Sequence, residues 1–177
     1  MSYHVSRVER EIKDENELKS ILERGKYGVI GLARNNEPYV VTLNYGYDKD
    51  ENALFFHCGK EGQKIDFIKS NPQACVTIIE DDGFNSESCE HSYKSIVLRG
   101  KIQLINNPDE VDRRIRLMIS QLEKKNTEHF LAKLRTGNKS YDNLQMLKLT
   151  IESISGKARQ KSAAEKKAVS RLQNVTD

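Results

Sequence analysis

"FFHCGKEGQKIDFIKSNP", residues 55–72, changes character twice. Aromatic residues run into His57 and Cys58 as the end of a strand. Gly59 and Gly62 then alternate with Lys60 and Lys64, and a helical pattern of about ten residues follows, with Ile65 and Ile68 inward and a stop before Asn71-Pro72. A helix N-terminus offers unpaired amides and a partial positive charge, and glycines let backbone approach an anion closely. Lys60 and Lys64 stand four apart and, on a helix, would project from one face. Two readings follow from these residues: a seat for a phosphate, or a glycine turn with solvated lysines. The GxxxxGK[ST] order of a P-loop is absent.

Working outward, Asp14 with Glu17 forms a capping pair for a helix whose apolar face is Leu18, Ile21 and Leu22 and whose end is Gly25. "YGVIGLA" (27–33) and "YVVTLNYGY" (39–47) read as a hairpin around "NNEP", with Tyr45 and Tyr47 as strand-edge packing. "ALFFHC" (53–58) is a third strand and "ACVTIIE" (74–80) a fourth, followed by a polar loop at 81–92. "YKSIVLRGKIQLI" (93–105) alternates, with Ile96, Leu98, Ile102 and Leu104 on one face, and Gly100 interrupts it as a bulge or a barrel bend would. Val111, Ile115, Met118 and Leu122 are spaced for a helix after Pro108; Phe130, Leu131 and Leu134 suggest a short one; "LQMLKLTIESIS" (144–155) is the last strand. Six strands, mostly in hairpins, with a helix interposed after the third, predict a mainly β protein: a six-stranded antiparallel barrel rather than a doubly wound parallel sheet.

The 177 residues suffice for one domain, and 31% of them are charged, as in a water-soluble chain. The mean hydropathy is −0.70, and no apolar run approaches the ~20 residues of a membrane helix. With no secretory h-region at the start, a cytoplasmic setting is expected. Cys58, Cys75 and Cys89 are odd in number and widely spaced, which fits neither a disulfide framework nor a CxxC zinc site. Residues 157–177 hold six cations against two acids, so this tail carries +4 and the remaining chain −1 of the total +3. The division is therefore a barrel domain over 1–156 and a basic tail over 157–177. The tail lacks the aromatics of a base-stacking surface, which argues against a nucleic-acid partner.

The order "PYVVTLNYGYD…NALFFHCGKEGQKIDFIKSNP…CVTIIEDD…YKSIVLRGKIQLI" resembles the pyridoxamine 5′-phosphate oxidase-related FMN-binding split barrels, and within them the branch of nitroimidazole-resistance reductases. The resemblance runs from about residue 8 to residue 158. Its more specific marks are the FH-x-GKEG-x-K-x-D-FI segment and Tyr93-Lys94-Ser95-Ile96. It implies a homodimer with FMN in grooves at the subunit interface. Val41, Thr42, Leu43 and Asn44 would line the isoalloxazine ring, with Phe56 and His57 beside it. Lys60 and Lys64 would hold the phosphate, and Ser95 would reach the ribityl chain or phosphate. Departures from the family's pattern are equally specific. Gln63 stands where an arginine precedes the helix lysine, Tyr39 and Asn44 stand where arginine and lysine bracket the second strand, and the Arg-x-His substrate motif is absent after residue 140.

The function implied is a flavoprotein oxidoreductase passing electrons from NADH or NADPH to a small oxidised acceptor, nitro- or quinone-like. The alternatives are a flavin store, sensor or haem-linked carrier without turnover, a deazaflavin in place of FMN, and an interaction protein using the basic tail. His57 is read either as a satisfied strand histidine or as the catalytic group, a neutral imidazole that donates a hydrogen bond or shuttles a proton. Ser95 has the plain alternative of facing solvent. Cys58, Cys89, His57 and His91 would form a metal site only by fortuitous geometry, and none is expected.

Overall fold

A computed structural model describes residues 5–86, 89–122, 132 and 143–159. Asp14 caps helix α1 (Glu15–Arg24) by accepting the Asn16 amide at 2.9 Å, and Leu18, Ile21 and Leu22 are buried along one stripe. The other half of the expected capping pair is used elsewhere: Glu17 meets Lys94 at 2.8 Å. Asn35 and Asn36 both hold positive φ, 49° and 66°, which is the two-residue turn whose twist suits a hairpin. It joins β1 (Tyr27–Arg34) to β2 (Glu37–Asp48), paired from Arg34↔Glu37 to Tyr27↔Asn44. After a turn in which Asp48 accepts the amides of Asp50 and Glu51, β3 (Ala53–Gly59) pairs back on β2 over only Tyr45↔Phe56 to Asp48↔Ala53. Helix α2 (Gln63–Ser70) follows, then β4 (Gln73–Asn85), β5 (Glu90–Ile105), α3 (Pro108–Leu122) and β6 (Leu144–Arg159).

The six strands close into one barrel in the order β1-β2-β3-β6-β5-β4, every pair antiparallel. Ile30, Val76, Ile96, Leu98, Leu147 and Leu149 fill the interior, and α1 and α2 close it with Ile21, Leu22, Ile65 and Phe67. Tyr45 and Tyr47 belong to this core, not to a strand edge. Tyr45 is fully buried and its hydroxyl donates to the Leu22 carbonyl at 2.8 Å. Gly100 sits at the register shift of β5 on β6, where an added Cβ would lie 1.9 Å from the Thr150 carbonyl oxygen. A second, smaller cluster lies outside the barrel, where Val111, Ile115 and Met118 of α3 cover Phe55, Ala53 and Met146.

The expected polar loop at 81–92 is largely strand. β4 continues to Asn85 and β5 starts at Glu90, with a register shift between Asp81 and Phe84. This arm leaves the barrel, so no face of it needs an apolar alternation, and its polar sequence reads as a loop. β6 likewise runs to Arg159, three residues past the expected domain end at 156. Lys157 pairs with Ser95 and bridges to Glu11, and Arg159 forms an ion pair with Glu90. The short helix expected around Phe130, Leu131 and Leu134, and tail residues 160–177, lie outside the described residues. No helix among the described residues is long and apolar enough to cross a membrane.

Arg114 ties α3 to the barrel. It is 2% exposed and its guanidinium lies 3.9 Å from the Phe55 ring centroid. Nε donates to Glu110 at 2.5 Å, while the two terminal nitrogens bond Asp48 and Glu51 in the β2–β3 turn. Glu51 in turn takes Lys148 of β6 at 2.6 Å. Burial pushes the Asp48 carboxyl up, but the Glu51 amide and Arg114 outweigh it and hold the pKa below its usual value; Lys148 and then Arg114 do the same for Glu51. Depressed carboxylates stabilise the fold above their ordinary range and lose that contribution as pH falls through their folded values. Replacing the arginine leaves carboxylates that are 18% to 31% exposed, so water screens part of the loss. Arg114→Met is expected to cost about 2–3 kcal/mol at pH 7, below the ~3–5 kcal/mol of a fully buried pair. Urea unfolding at pH 7 and at about pH 3 checks this: the difference between variant and wild type should shrink in acid.

Candidate functional site

β2 serves two neighbours in turn, and the site lies where it changes partner. Up to Asn44 it pairs with β1; from Tyr45 it pairs with β3. Beyond Tyr45↔Phe56 the next residues outward, Asn44 and His57, are no longer ladder partners, and the 59–62 loop and α2 continue from this parting. Gly62 caps α2 with φ 114° and ψ 171°, and nothing lies within 4 Å of the Cβ it lacks. The glycine is thus set by backbone conformation, which an L side chain would strain, rather than by space. The Gly62 carbonyl accepts the amides of Ile65 and Asp66. The amides of Gln63 and Lys64 have no protein acceptor among the described residues, and no side chain caps the helix. Two free donors therefore point out of the helix start with Lys64 beside them. Exposed Asp66 on the same turn opposes part of that positive field.

The two lysines do not share a helix face. The helix begins at Gln63, so Lys60 belongs to the preceding loop. Lys64 lies close enough to Cys58 to pull its thiol pKa down, although burial dominates and raises it, which leaves a protonated, unreactive thiol at neutral pH. Lys60 instead lines a cavity of about 620 Å³ with Ile105, Asn106, Pro108, Val111, Leu144 and Gln145. The lysines thus flank the loop on two sides.

Strand alternation sorts the other expected residues. Val41 and Leu43 pack against the interior core, so only Thr42 and Asn44 of that run present side chains outward. Asn44 donates to the Lys26 carbonyl at 3.2 Å, which leaves its amide oxygen available. Phe56 is fully buried against Tyr45 and offers a ligand only its backbone. Val41 and Leu43 likewise turn their side chains to the interior, so each would meet a ligand through its backbone. His57 faces outward on β3 and is solvent-accessible, yet enough protein surrounds it that desolvation lowers its pKa. It is neutral at pH 7. Ser95 is 8% exposed, paired with Ile79 and Lys157. Following Asn44↔Tyr27 and Ile79↔Ser95 around the barrel, it stands three strand spacings from Asn44, ~14 Å. Lys64 lies near Cys58, His57 follows the last β2–β3 pair beside Asn44, and Ser95 lies on β5, three strands from β2. Between them the sheet's outer face exposes Val40, Tyr27 and Ile79, at 64%, 58% and 60%.

Gln145 escaped the sequence reading because "LQML" scans as an ordinary strand start; nothing in that pattern marks a side chain that lines a cavity. His91 meets Asp81 at 2.6 Å on the exposed arm. No group of three metal-ligating side chains occurs among the described residues.

Residues 14–158 match the pyridoxamine 5′-phosphate oxidase family. The chain belongs to that family. Among solved structures, a proposed 5-nitroimidazole antibiotic resistance protein from Bacteroides thetaiotaomicron shares the fold, with a TM-score of 0.66 and 23% identity over 84% of this chain and 86% of that one. The FAD and heme binding protein of Mycobacterium smegmatis superposes with a TM-score of 0.71, at 19% identity over 90% of this chain and 80% of that one. A curated relative, an uncharacterized protein of Rhizobium meliloti (strain 1021), is 27% identical over 92 residues, which is 52% of this chain and 55% of that protein. The chain thus spans about half the length of that relative.

The His57 environment has a direct readout. An NMR pH titration should place its imidazole midpoint below the ~6.5 of an unperturbed histidine. Because the folded value is depressed, protonation costs stability, and the contribution is lost as pH falls through it. A midpoint at or above 6.5 would show that the groove does not desolvate the ring.

Proposed function

We propose that this chain is a homodimeric flavoprotein that binds FMN at the parting of β2 and β3 and passes electrons from NADH or NADPH to a small oxidised acceptor, nitro- or quinone-like. The observation that carries this reading is the α2 start. Two amides without protein acceptors, the positive φ of Gly62 and Lys64 together form a seat that fits a phosphate monoester. The donor set also fits the rest of the molecule: Thr42 and Asn44 offer a hydroxyl and an amide to ring edges, and His57 lies on the facing strand. The Mycobacterium smegmatis neighbour, which binds FAD and heme, supports a flavin on this fold.

The bound flavin would supply the redox chemistry. The protein's own part is to anchor the phosphate through Lys64 and the helix amides, to orient the ring against β2, and to hold or deliver one proton at a neutral His57 imidazole. No GxGxxG dinucleotide motif occurs in the sequence, so the nicotinamide donor would dock on the flavin face. A second copy completes the groove. The exposed Val40, Tyr27 and Ile79 face gives it an apolar surface, and a two-fold pairing there would bring the partner's β5, with its own Ser95, toward the ring and ribityl chain.

Titrating apoprotein with FMN and riboflavin tests the seat. Lys64→Gln removes a charge-assisted hydrogen bond of roughly 1.5–3 kcal/mol, which corresponds to about ten- to a hundredfold weaker FMN binding. Riboflavin, lacking the phosphate, should be little affected. Unchanged FMN affinity would move the phosphate elsewhere. Sedimentation should give a dimer, and steady-state oxidation of NADPH by the loaded protein separates an enzyme from a flavin carrier.

A further inference from the structure

We infer that the cavity between α1, β2 and β6, lined by Tyr47, is a binding site for a small amphipathic monocarboxylate. It shares no residue with the proposed flavin seat and does not rest on that reading. The fold treats two tyrosines of one strand differently. Tyr45 and Tyr47 both turn inward from β2 beneath α1. The Tyr45 hydroxyl donates to the Leu22 carbonyl at 2.8 Å, and Gln121 Nε2 donates to the same carbonyl at 3.2 Å. Tyr47 is 6% exposed, yet its hydroxyl has no hydrogen-bond partner among the described residues. Its backbone is fixed by pairing with Leu54 and by donation of its amide to the Gln121 side chain at 2.8 Å. A buried phenol ordinarily finds a partner, and one without is costly. Burial, with the charges of Glu23 and Asp48, raises its pKa, so the hydroxyl stays protonated and able to donate at neutral pH.

The surroundings of that hydroxyl define what it would bind. Tyr47 lines a cavity of about 410 Å³, within the ~300–1,000 Å³ of small-molecule pockets. Leu18 and Leu22 of α1 and Ile151 and Ile154 of β6 give it apolar walls. Lys19 and Lys49 are exposed at its rim. Lys49 meets Glu23 at 3.3 Å, whereas Lys19 has no ion pair among the described residues. Glu23 both pairs with Lys49 and raises the Tyr47 pKa, which puts the hydroxyl and the Lys49 ammonium in one neighbourhood. Asn52 donates its own amide to the Ile151 carbonyl at 3.4 Å. One end of an occupant therefore meets an O–H donor and ammonium groups, and its body meets four aliphatic side chains. A carboxylate accepts from both kinds of donor, and an alkyl or aryl body fills the rest. Glu15, also on the wall, and Glu23 balance the two lysines, so the second charge of a phosphate monoester gains nothing there. Such an occupant touches α1, β2 and β6 at once, and binding only the folded chain it stabilises the closure of the barrel by α1.

Methyl NMR of the full chain, titrated with octanoate as the probe, tests the site. The methyls of Leu18, Leu22, Ile151 and Ile154 should shift first and saturably. Octanamide, which keeps the body and loses the charge, should bind at least about fivefold more weakly, and octyl phosphate no more tightly than octanoate. Tyr47→Phe should weaken octanoate binding about tenfold. Its urea midpoint should be no lower than that of the wild type, because the hydroxyl removed has no protein partner. Lys19→Gln, at an exposed position, should weaken binding about threefold without touching the core. Shifts that are absent from these four methyls, or that appear instead at Ile105, Val111 and Leu144 of the Lys60 cavity, would overturn the site. Octanamide binding as tightly as octanoate would overturn the carboxylate. Unchanged affinity in both variants would do the same for the two donors, and a lower urea midpoint for Tyr47→Phe would show that the hydroxyl is already engaged and is no donor to a ligand.

Discussion

In this closed barrel β2 meets its two neighbours over different segments, and the rest of the molecule is arranged around that division. β2 has twelve residues, of which the first eight pair with β1 and the last four with β3. Outward of Tyr45↔Phe56 the ladder between β2 and β3 ends, and the two strands part. A barrel of this size cannot leave the gap open, because interior apolar side chains would meet water there. α2 fills it with Ile65, Phe67 and Ile68, and Phe67 lies 5.3 Å from the Tyr39 ring. The start of α2, with its unpaired amides, is thereby fixed at the outer rim of the gap. The proposed phosphate seat is thus a by-product of plugging the barrel.

The same economy explains α3. Phe55 and Met146 point away from the interior and need a cover. Gly46 allows one at close range, since a Cβ there would stand 2.9 to 3.1 Å from Met118 atoms, backbone included. Dispersion and burial bring the helix down, and the Arg114 cluster sets its azimuth by engaging the turn that joins β2 to β3. The arginine is a specificity device: its charges gain little over apolar packing, but only one rotation of α3 satisfies them. That rotation also sets the cavity wall at Val111.

Much of this was legible in the sequence where one face of an element meets the core and the other meets water. α1, the 27–47 hairpin, β5 with its glycine bulge and the helix at 108 all carry that contrast. The 81–92 segment does not, because its described residues other than Ser92 are largely exposed, and a polar strand then looks like a loop. At the site, the lysines and glycines fit either an anion seat or a solvated turn, and their spacing of four suggested a shared helix face; only the onset of α2 at Gln63 separates them. Alternation of the pleat turns the Phe56 and Val41 side chains inward, which leaves their backbone to face a ligand. Ser95 could not be separated by sequence from its neighbours on β5, since distance around a closed barrel depends on every register in between.

The order of strands has a consequence for how the chain reaches this state. β6 lies between β3 and β5, yet it is made after both of them. Until residues 144–159 are available, β3 and β5 each present an unpaired edge, and the sheet is an open ribbon with its apolar side uncovered. Closure is thus a late, long-range event that links residue 53 to residue 150 and residue 93 to residue 159. Such contacts are paid for in loop-closure entropy before they return any stability, so folding is expected to be slow for a chain this size. The nascent chain is most vulnerable to sticking to its neighbours in the interval before its last strand arrives.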